Sequence, residues 1–179
     1  MNRKNRFDNV PWGYHPQWAV ERKIPMMINA HIEKAATGPM FRGMFKSGRA
    51  IVPADGWFEW TGDKGRKQPW YIKLKSDEPV FMAAITDFRP GKEMHEGSGF
   101  VIVTAAAEGG MVDVHDRQPV VLAPEDALLW MDPDLSADQA EQIARQMALG
   151  ADDFEWFKVS TEVNKAGHSD PHMIEPLET

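Results

Sequence analysis

Apolar positions in this chain mostly alternate with polar ones or gather in short blocks, and helical spacing is confined to a few segments. WYIKLK (70–75) sets Trp70, Ile72 and Leu74 on one side and Tyr71, Lys73 and Lys75 on the other. That period of two predicts a half-exposed strand. PVFMAAITDF (79–88) and GFVIVTAAA (99–107) are near-continuous apolar strands, with RPGKEMHEGS (89–98) as the loop between them. RAIVPA (49–54) predicts a short buried strand, Asp55-Gly56 a turn, and WFEW a further paired strand. TGDKGRKQ (61–68) is a polar, basic, glycine-bearing loop, and RQPVVLAP (117–124) and FEWFKVS (154–160) add two more strands.

Helical signals are fewer. PEDALLWM (124–131) opens on a proline and two acids, a good first turn. SADQAEQIARQMALG (136–150) has Ser136 and Gln139 at capping-box spacing and Gly150 at its stop, with Leu135, Ile143 and Met147 on its apolar side. Residues 32–46 form a broken helix or a loop around Gly38-Pro39. The sum is a strand-rich α+β domain in which antiparallel pairing is expected. No repeat or linker divides the 179 residues, a length that supports one domain with a good core.

Composition narrows the setting. No run of 18 apolar residues exists, so no transmembrane helix is expected. The start, MNRKNRFDNVPWGY, lacks the apolar stretch of a signal peptide, and a cytoplasmic address is the default. Zero cysteines exclude disulfides, thiolate metal sites and cysteine nucleophiles from these residues. The net charge of −7 is unevenly spread. Residues 1–75 hold 14 Lys and Arg against 6 Asp and Glu, a net of +8; residues 76–179 hold 6 against 21, a net of −15. Such asymmetry fits a basic face despite an acidic total, or two halves that interleave and attract each other.

Three stretches carry candidate chemistry. In ADGWFEW (54–60), Glu59 sits among Trp57, Phe58 and Trp60. A desolvated carboxyl holds its proton nearer neutrality and can act as a general acid; alternatively, strand alternation turns Glu59 to solvent and Phe58 and Trp60 inward. In MVDVHDRQPVVL (111–122), His115 has Asp113, Asp116 and Arg117 as neighbours. It is either a proton-transfer group or part of a solvated turn. In MMINAHIEKAAT (26–37), Asn29 ends an apolar run, where its amide can hold a substrate oxygen or cap the next turn. His31 is a phosphate contact or simply exposed. HSDPH (168–172) is poor evidence for a metal, and no metal is assigned. Ser160 and Thr104 have no adjacent base, and GxGxxG, Walker, HExxH and GxSxG patterns are absent, so no cofactor is expected.

Together these segments resemble the SRAP family, the SOS-response-associated peptidase or abasic-site processing proteins. WGYHPQW (12–18), INAHIE (28–33), MFRGMFKSGRAIVPADGWFEW (40–60), VIVTAAA (101–107), VDVHDRQPVVL (112–122), VSTEVN (159–164) and IEPL (174–177) match the family's motifs in order, over nearly the whole chain. The resemblance implies an α+β fold, a strand-rich single domain with a mostly antiparallel, barrel-like sheet and a few flanking helices, carrying a positively charged groove for single-stranded DNA. It implies covalent capture of abasic sites by an N-terminal cysteine, whose amine forms a Schiff base and whose thiol closes a thiazolidine. Asn29, Glu59 and His115 match the family's catalytic positions, with Glu59 in a pocket shared by the other two. Trp12, Trp18, His31, Arg49, Trp60, Thr104 and Arg117 are the implied DNA contacts.

The chain departs from the family at two places. The Met-Cys-Gly-Arg-Phe start is missing, so the expectation is a single SRAP domain over 1–179, N-terminally truncated relative to the family. His31 stands where relatives carry an arginine. Implied partners are single-stranded DNA with abasic sites, without membrane or metal, and a nucleoid association when DNA is bound. The competing expectations are a non-catalytic single-stranded DNA-binding module and the thiol autopeptidase of the family name.

Overall fold

A computed structural model describes residues 6–177. In chain order the main elements are α1 (Gln17–Glu21), β1 (Asn29–His31), α2 (Ile32–Ala35), α3 (Arg42–Ser47), β2 (Arg49–Ala54), β3 (Trp57–Thr61), β4 (Gln68–Leu74), β5 (Val80–Thr86) and β6 (Phe100–Ala106). They continue with β7 (Arg117–Pro119), β8 (Val121–Leu122), α4 (Pro124–Trp130), α5 (Ala137–Gln146) and β9 (Phe154–Lys158).

The strands form two open sheets, which corrects the expected barrel-like closure. One sheet runs β1-β6-β5-β2, with β7 added to β6 and β8 to β5; the other is β3-β4-β9. Pairing is antiparallel except for β1 beside β6, which is parallel. The barrel fails to close at Asp55-Gly56. There β2, paired to β5, hands over to β3, paired to β4. Gly56 permits the handover: a Cβ at this residue would lie 2.3 Å from the Ile72 carbonyl oxygen and 2.7 Å from the Tyr71 ring.

Residues 117–122 fill the wedge where β5 and β6 diverge. Thr104 pairs with Pro119 on one side and Phe81 with Leu122 on the other. Pro119 has no N–H, yet Val120 between the two short strands still bonds both neighbours. Its N–H donates to Val103 O (2.9 Å) and its carbonyl accepts from Ala83 N (2.8 Å).

Helices cover one face of the larger sheet. Ile32, Phe45, Trp130, Ala140 and Ala144 pack against Ala83, Ile85, Val101, Val103 and Leu122. Trp130 is fully buried, meets the Phe45 ring edge-on at 5.3 Å, and donates from Nε1 to Ala50 O at 2.9 Å. Truncation of such a side chain costs roughly 3–5 kcal/mol. The capping box of α5 forms as its spacing predicts: Gln139 N donates to Ser136 Oγ and Ser136 N to Gln139 Oε1. The helix ends at Gln146, ahead of the expected Gly150, because Leu149 N is drawn to Val121 O at 2.9 Å. The opposite sheet face, with Met82, Ala84, Ile102 and Val121, packs on Ile72, Phe154, Trp57 and Trp156 of the smaller sheet. The open margin between these two sheets receives the candidate site.

Candidate active site

Strand alternation decides the side on which Glu59 lies. Trp57 and Ile72 are partners across β3 and β4, as are Glu59 and Trp70, two residues along on the same face. Trp57 and Ile72 belong to the core between the sheets, so Glu59 faces that side too. Its side chain retains 19% of its exposure. Phe58 and Trp60 take the outer face, where Phe58 meets the rings of Trp60 and Tyr71 at 6.3 and 5.2 Å. The alternative with Glu59 in solvent and its aromatic neighbours inside is therefore reversed.

Loss of water around this carboxyl pushes the Glu59 pKa up; charge on His115 pulls it down, Asp116 pushes it up, and Trp57 pulls it down. The Trp57 indole N–H is buried and forms no hydrogen bond, so it acts as a nearby dipole. Desolvation remains the dominant influence.

His115 follows the 3₁₀ turn Gly109–Asp113 and is tied back by its own N–H to Met111 O at 3.1 Å. Its Nε2 stands 3.9 Å from Glu59 Oε2. The gap is too long for a direct hydrogen bond, but an oxygen atom at ordinary hydrogen-bond distance from both fits as the apex of a triangle. Nδ1 lies 2.8 Å from Arg117 O and 3.0 Å from Arg117 N. A protonated Nδ1 donates to the carbonyl, and a bare Nδ1 accepts from the N–H. The ring thus keeps its orientation when its proton moves.

Arg117, on β7, is fixed by Glu33. Nη1 and Nη2 donate to the two carboxylate oxygens at 2.8 and 2.9 Å, and Nη2 also donates to Thr104 O at 2.6 Å. Thr104 Oγ1 accepts weakly from the same nitrogen at 3.3 Å. The Arg117 guanidinium holds the Glu33 carboxyl at about 2. Thr104 is buried and pairs with His31; Asn29 pairs with Ile102, two residues back on the same face. Asn29 and His31 are exposed. The larger sheet therefore presents Asn29, His31, Thr104 and Arg117 on the face from which the smaller sheet presents Glu59.

The aromatic positions are more dispersed. Trp12 is 57% exposed and donates from Nε1 to Ile28 O at 2.9 Å, beside the start of β1. Trp18 lies on α1 with the Arg22 guanidinium 5.8 Å from its ring centre. Trp60 is on the far side of β3 from Glu59.

Arg49 is elsewhere, and its expected role as a DNA contact needs correction. It pairs with Ile85, on the face covered by helices. Its five N–H groups are all directed at backbone carbonyls: Trp130, Phe45, Lys46, Asp132 and Leu135. None is left for a phosphate. Glu33 and Trp57 lie in INAHIE and ADGWFEW with no local sign of a role; the partner of Glu33 is 84 residues away, which no local pattern signals. In HSDPH, His172 is held by Asp170 and Glu162, and among the described residues no group of three or more acidic or histidine side chains is arranged to hold a metal ion. Among them, too, no helix is long and apolar enough to cross a membrane.

The family model described as SOS response associated peptidase (SRAP) matches residues 1–166. This chain belongs to the SRAP family. The SRAP chain is 44% identical to the abasic site processing protein YedK of Escherichia coli over 172 residues, covering 95% of this chain and 75% of YedK. It is 34% identical to the abasic site processing protein YoqW of Bacillus subtilis, covering 96% of this chain and 77% of that one. Among solved structures, a phage-related protein of Bordetella bronchiseptica superposes with a TM-score of 0.73 at 42% identity, over 85% of this chain and 70% of that one. A protein of Bacteroides thetaiotaomicron superposes at 0.74 and 28% identity, over 93% and 75%. These likenesses agree with the mixed α+β architecture of two sheets and flanking helices.

Proposed function

We propose that this SRAP chain recognises abasic sites in single-stranded DNA and moves protons at the exposed sugar. The observation that carries the reading is the Glu59–His115 pair, a carboxyl with a raised pKa facing an imidazole at 3.9 Å. The likeness to proteins named abasic site processing proteins supports an abasic site as the substrate. An abasic sugar is a cyclic hemiacetal in equilibrium with its open aldehyde. Opening needs a proton delivered to the ring oxygen and one removed from the anomeric hydroxyl. Protonated Glu59 is suited to deliver the first, and His115 Nε2 to accept the second. Asn29 offers an amide to the sugar, and His31 and Arg117 offer charge to flanking phosphates. Arg117 has one Nη1 hydrogen uncommitted beyond its bonds to Glu33 and Thr104.

The chain holds no cysteine. The role of residues 1–179 in this reading is therefore recognition and proton transfer, and the thiol of a thiazolidine comes from outside them. A cytoplasmic location, on the nucleoid when DNA is bound, goes with this reading. The test is fluorescence anisotropy with a labelled single strand carrying one abasic site, against the same strand with a normal nucleotide and against duplex. Tighter binding of the abasic strand is expected. Equal affinity for abasic and intact strands leaves only a general DNA-binding module, and no binding at low salt overturns the proposal.

A further inference from the structure

Among the described residues, three buried side-chain polar atoms form no hydrogen bond: Trp57 Nε1, Arg117 Nε and Gln118 Oε1. A buried donor without an acceptor bears the full loss of its hydration, and folded proteins rarely leave one so. Gln118 pairs with Ala105, which packs with the core beneath the helices, so it belongs to the face away from the candidate site. The two donors belong to the face that carries Glu59. The Arg117 guanidinium is already matched to the Glu33 carboxylate through Nη1 and Nη2. The indole N–H of Trp57 has no such match.

Trp57 and Glu59 are two residues apart on β3 and share its inner face. The Trp57 ring meets Phe154 edge-on, with ring centres 5.3 Å apart, and packs with the core between the sheets. Its N–H stands close enough to pull the Glu59 pKa down, against the upward push of burial, yet lies outside hydrogen-bond geometry. The other groups that act on this carboxyl are charged. His115 favours the carboxylate and Asp116 opposes it. Trp57 is the neutral donor of the set.

The proposed reaction supplies the acceptor. When Glu59 gives its proton to the sugar ring oxygen, the bond from that oxygen to the anomeric carbon breaks and its electron pair takes the proton. The anomeric hydroxyl becomes the aldehyde carbonyl as its own proton passes to His115 Nε2. A carboxylate is left where water is scarce. It can only accept hydrogen bonds, and an indole N–H can only donate one. A bond between the two is charge-assisted, so it is stronger than any the resting acid could form with the same donor.

We propose that Trp57 is a positioning residue for this step, whose indole N–H takes up the Glu59 carboxylate as the proton leaves. The role rests on the reading that Glu59 acts as the acid towards an abasic sugar.

The experiment titrates Glu59 in the free protein by carboxyl-carbon NMR of isotope-labelled glutamate, with Glu59→Gln to assign the signal. Trp57→Phe keeps a ring and removes the donor. Phe154→Leu disturbs the same ring contact and keeps the donor. Glu59 should titrate about one pH unit higher in Trp57→Phe than in wild type, as loss of a hydrogen bond to a charged group gives. Phe154→Leu should leave the titration in place, and the Trp57 indole proton of wild type should move downfield as Glu59 ionises. A second arm follows opening of a protein-bound abasic single strand, trapped by methoxyamine at a concentration where opening limits the rate. Glu59 must be protonated to act, so the rate should fall as pH rises through its folded value. In Trp57→Phe that fall should be displaced upward by the shift seen in the titration. An unmoved Glu59 titration in Trp57→Phe, or an equal shift in Phe154→Leu, overturns the role of Trp57 whatever the protein does to DNA. The expected titration shift, with no faster trapping by wild type than without protein, would keep the Trp57–Glu59 bond and overturn the abasic-sugar reading.

Discussion

His115 Nε2 and Glu59 Oε2 are 3.9 Å apart, although one side chain comes from the edge strand of the smaller sheet and the other from the turn leading into β7 of the larger. The relationship exists because the chain changes sheets at Gly56 and because residues 117–122 wedge between β5 and β6. Each residue alone is ordinary. Together they place a desolvated acid within reach of an imidazole whose tautomers are both accommodated by the Arg117 backbone.

A desolvated acid should cost stability once it ionises. The folded-state pKa of Glu59 is raised, so its contribution is fully present below the ordinary value of 4.5 and is lost as pH rises through the folded value. Glu59→Gln carries no such loss. The variant is expected to melt at a higher temperature than wild type at pH 7–8, with the difference vanishing near pH 4. A difference of equal size at both pH values, read by thermal denaturation, would mean that ionisation is not its source.

Glu33 should behave in the opposite sense. Arg117 holds its pKa at about 2, against an ordinary value of 4.5. Its contribution is present above 4.5 and is lost as pH falls through about 2. Glu33→Gln should therefore destabilise the protein at pH 6, with the gap to wild type closing as pH is lowered from 4.5 towards 2. The same variant frees the Arg117 guanidinium and should alter the pH profile of any Glu59–His115 chemistry, since the Arg117 backbone orients the His115 ring. An unchanged profile beside lost stability would confine Glu33 to a structural role.

Arg49 should matter for folding and not for DNA. Arg49→Ala removes the donors from five backbone carbonyls, three of them at the end of α4 and the turn beyond. A loss of about 3 kcal/mol is expected from denaturant titration. The folded fraction should keep wild-type affinity for an abasic strand. A loss of affinity greater than the loss of folded protein would restore Arg49 to the DNA interface.

Much of this was legible in the sequence. β2, β4, β5, β6, β9, α4 and α5 lie where apolar runs, alternation and capping residues place them. The one strand expected over 117–124 divides into β7 and β8 where its pairing passes from β6 to β5, and the sheet switch at Gly56 opened the expected barrel. Such features depend on contacts between distant segments, and periodicity does not encode them. The Glu59–His115 pairing was anticipated from motif order, whereas alternation alone had left the side of Glu59 open. Arg49 shows the converse: a basic residue inside a motif reads as a ligand contact until five carbonyls are found around it.

The central claim is that Glu59 and His115 open an abasic sugar held between the sheets. It is tested most directly by supplying an amine and a thiol together as free cysteine. The amine of cysteine condenses with the open aldehyde and releases water. The thiol then adds to the imine carbon and its proton passes to nitrogen, giving a thiazolidine on the oligonucleotide that mass spectrometry detects. With the abasic strand saturated by protein, wild type should speed capture on the order of 10²-fold over the strand alone, and Glu59→Gln and His115→Ala should each remove most of that gain while still binding the strand. Capture no faster with bound wild type than without protein, or a full rate in Glu59→Gln, would contradict the account.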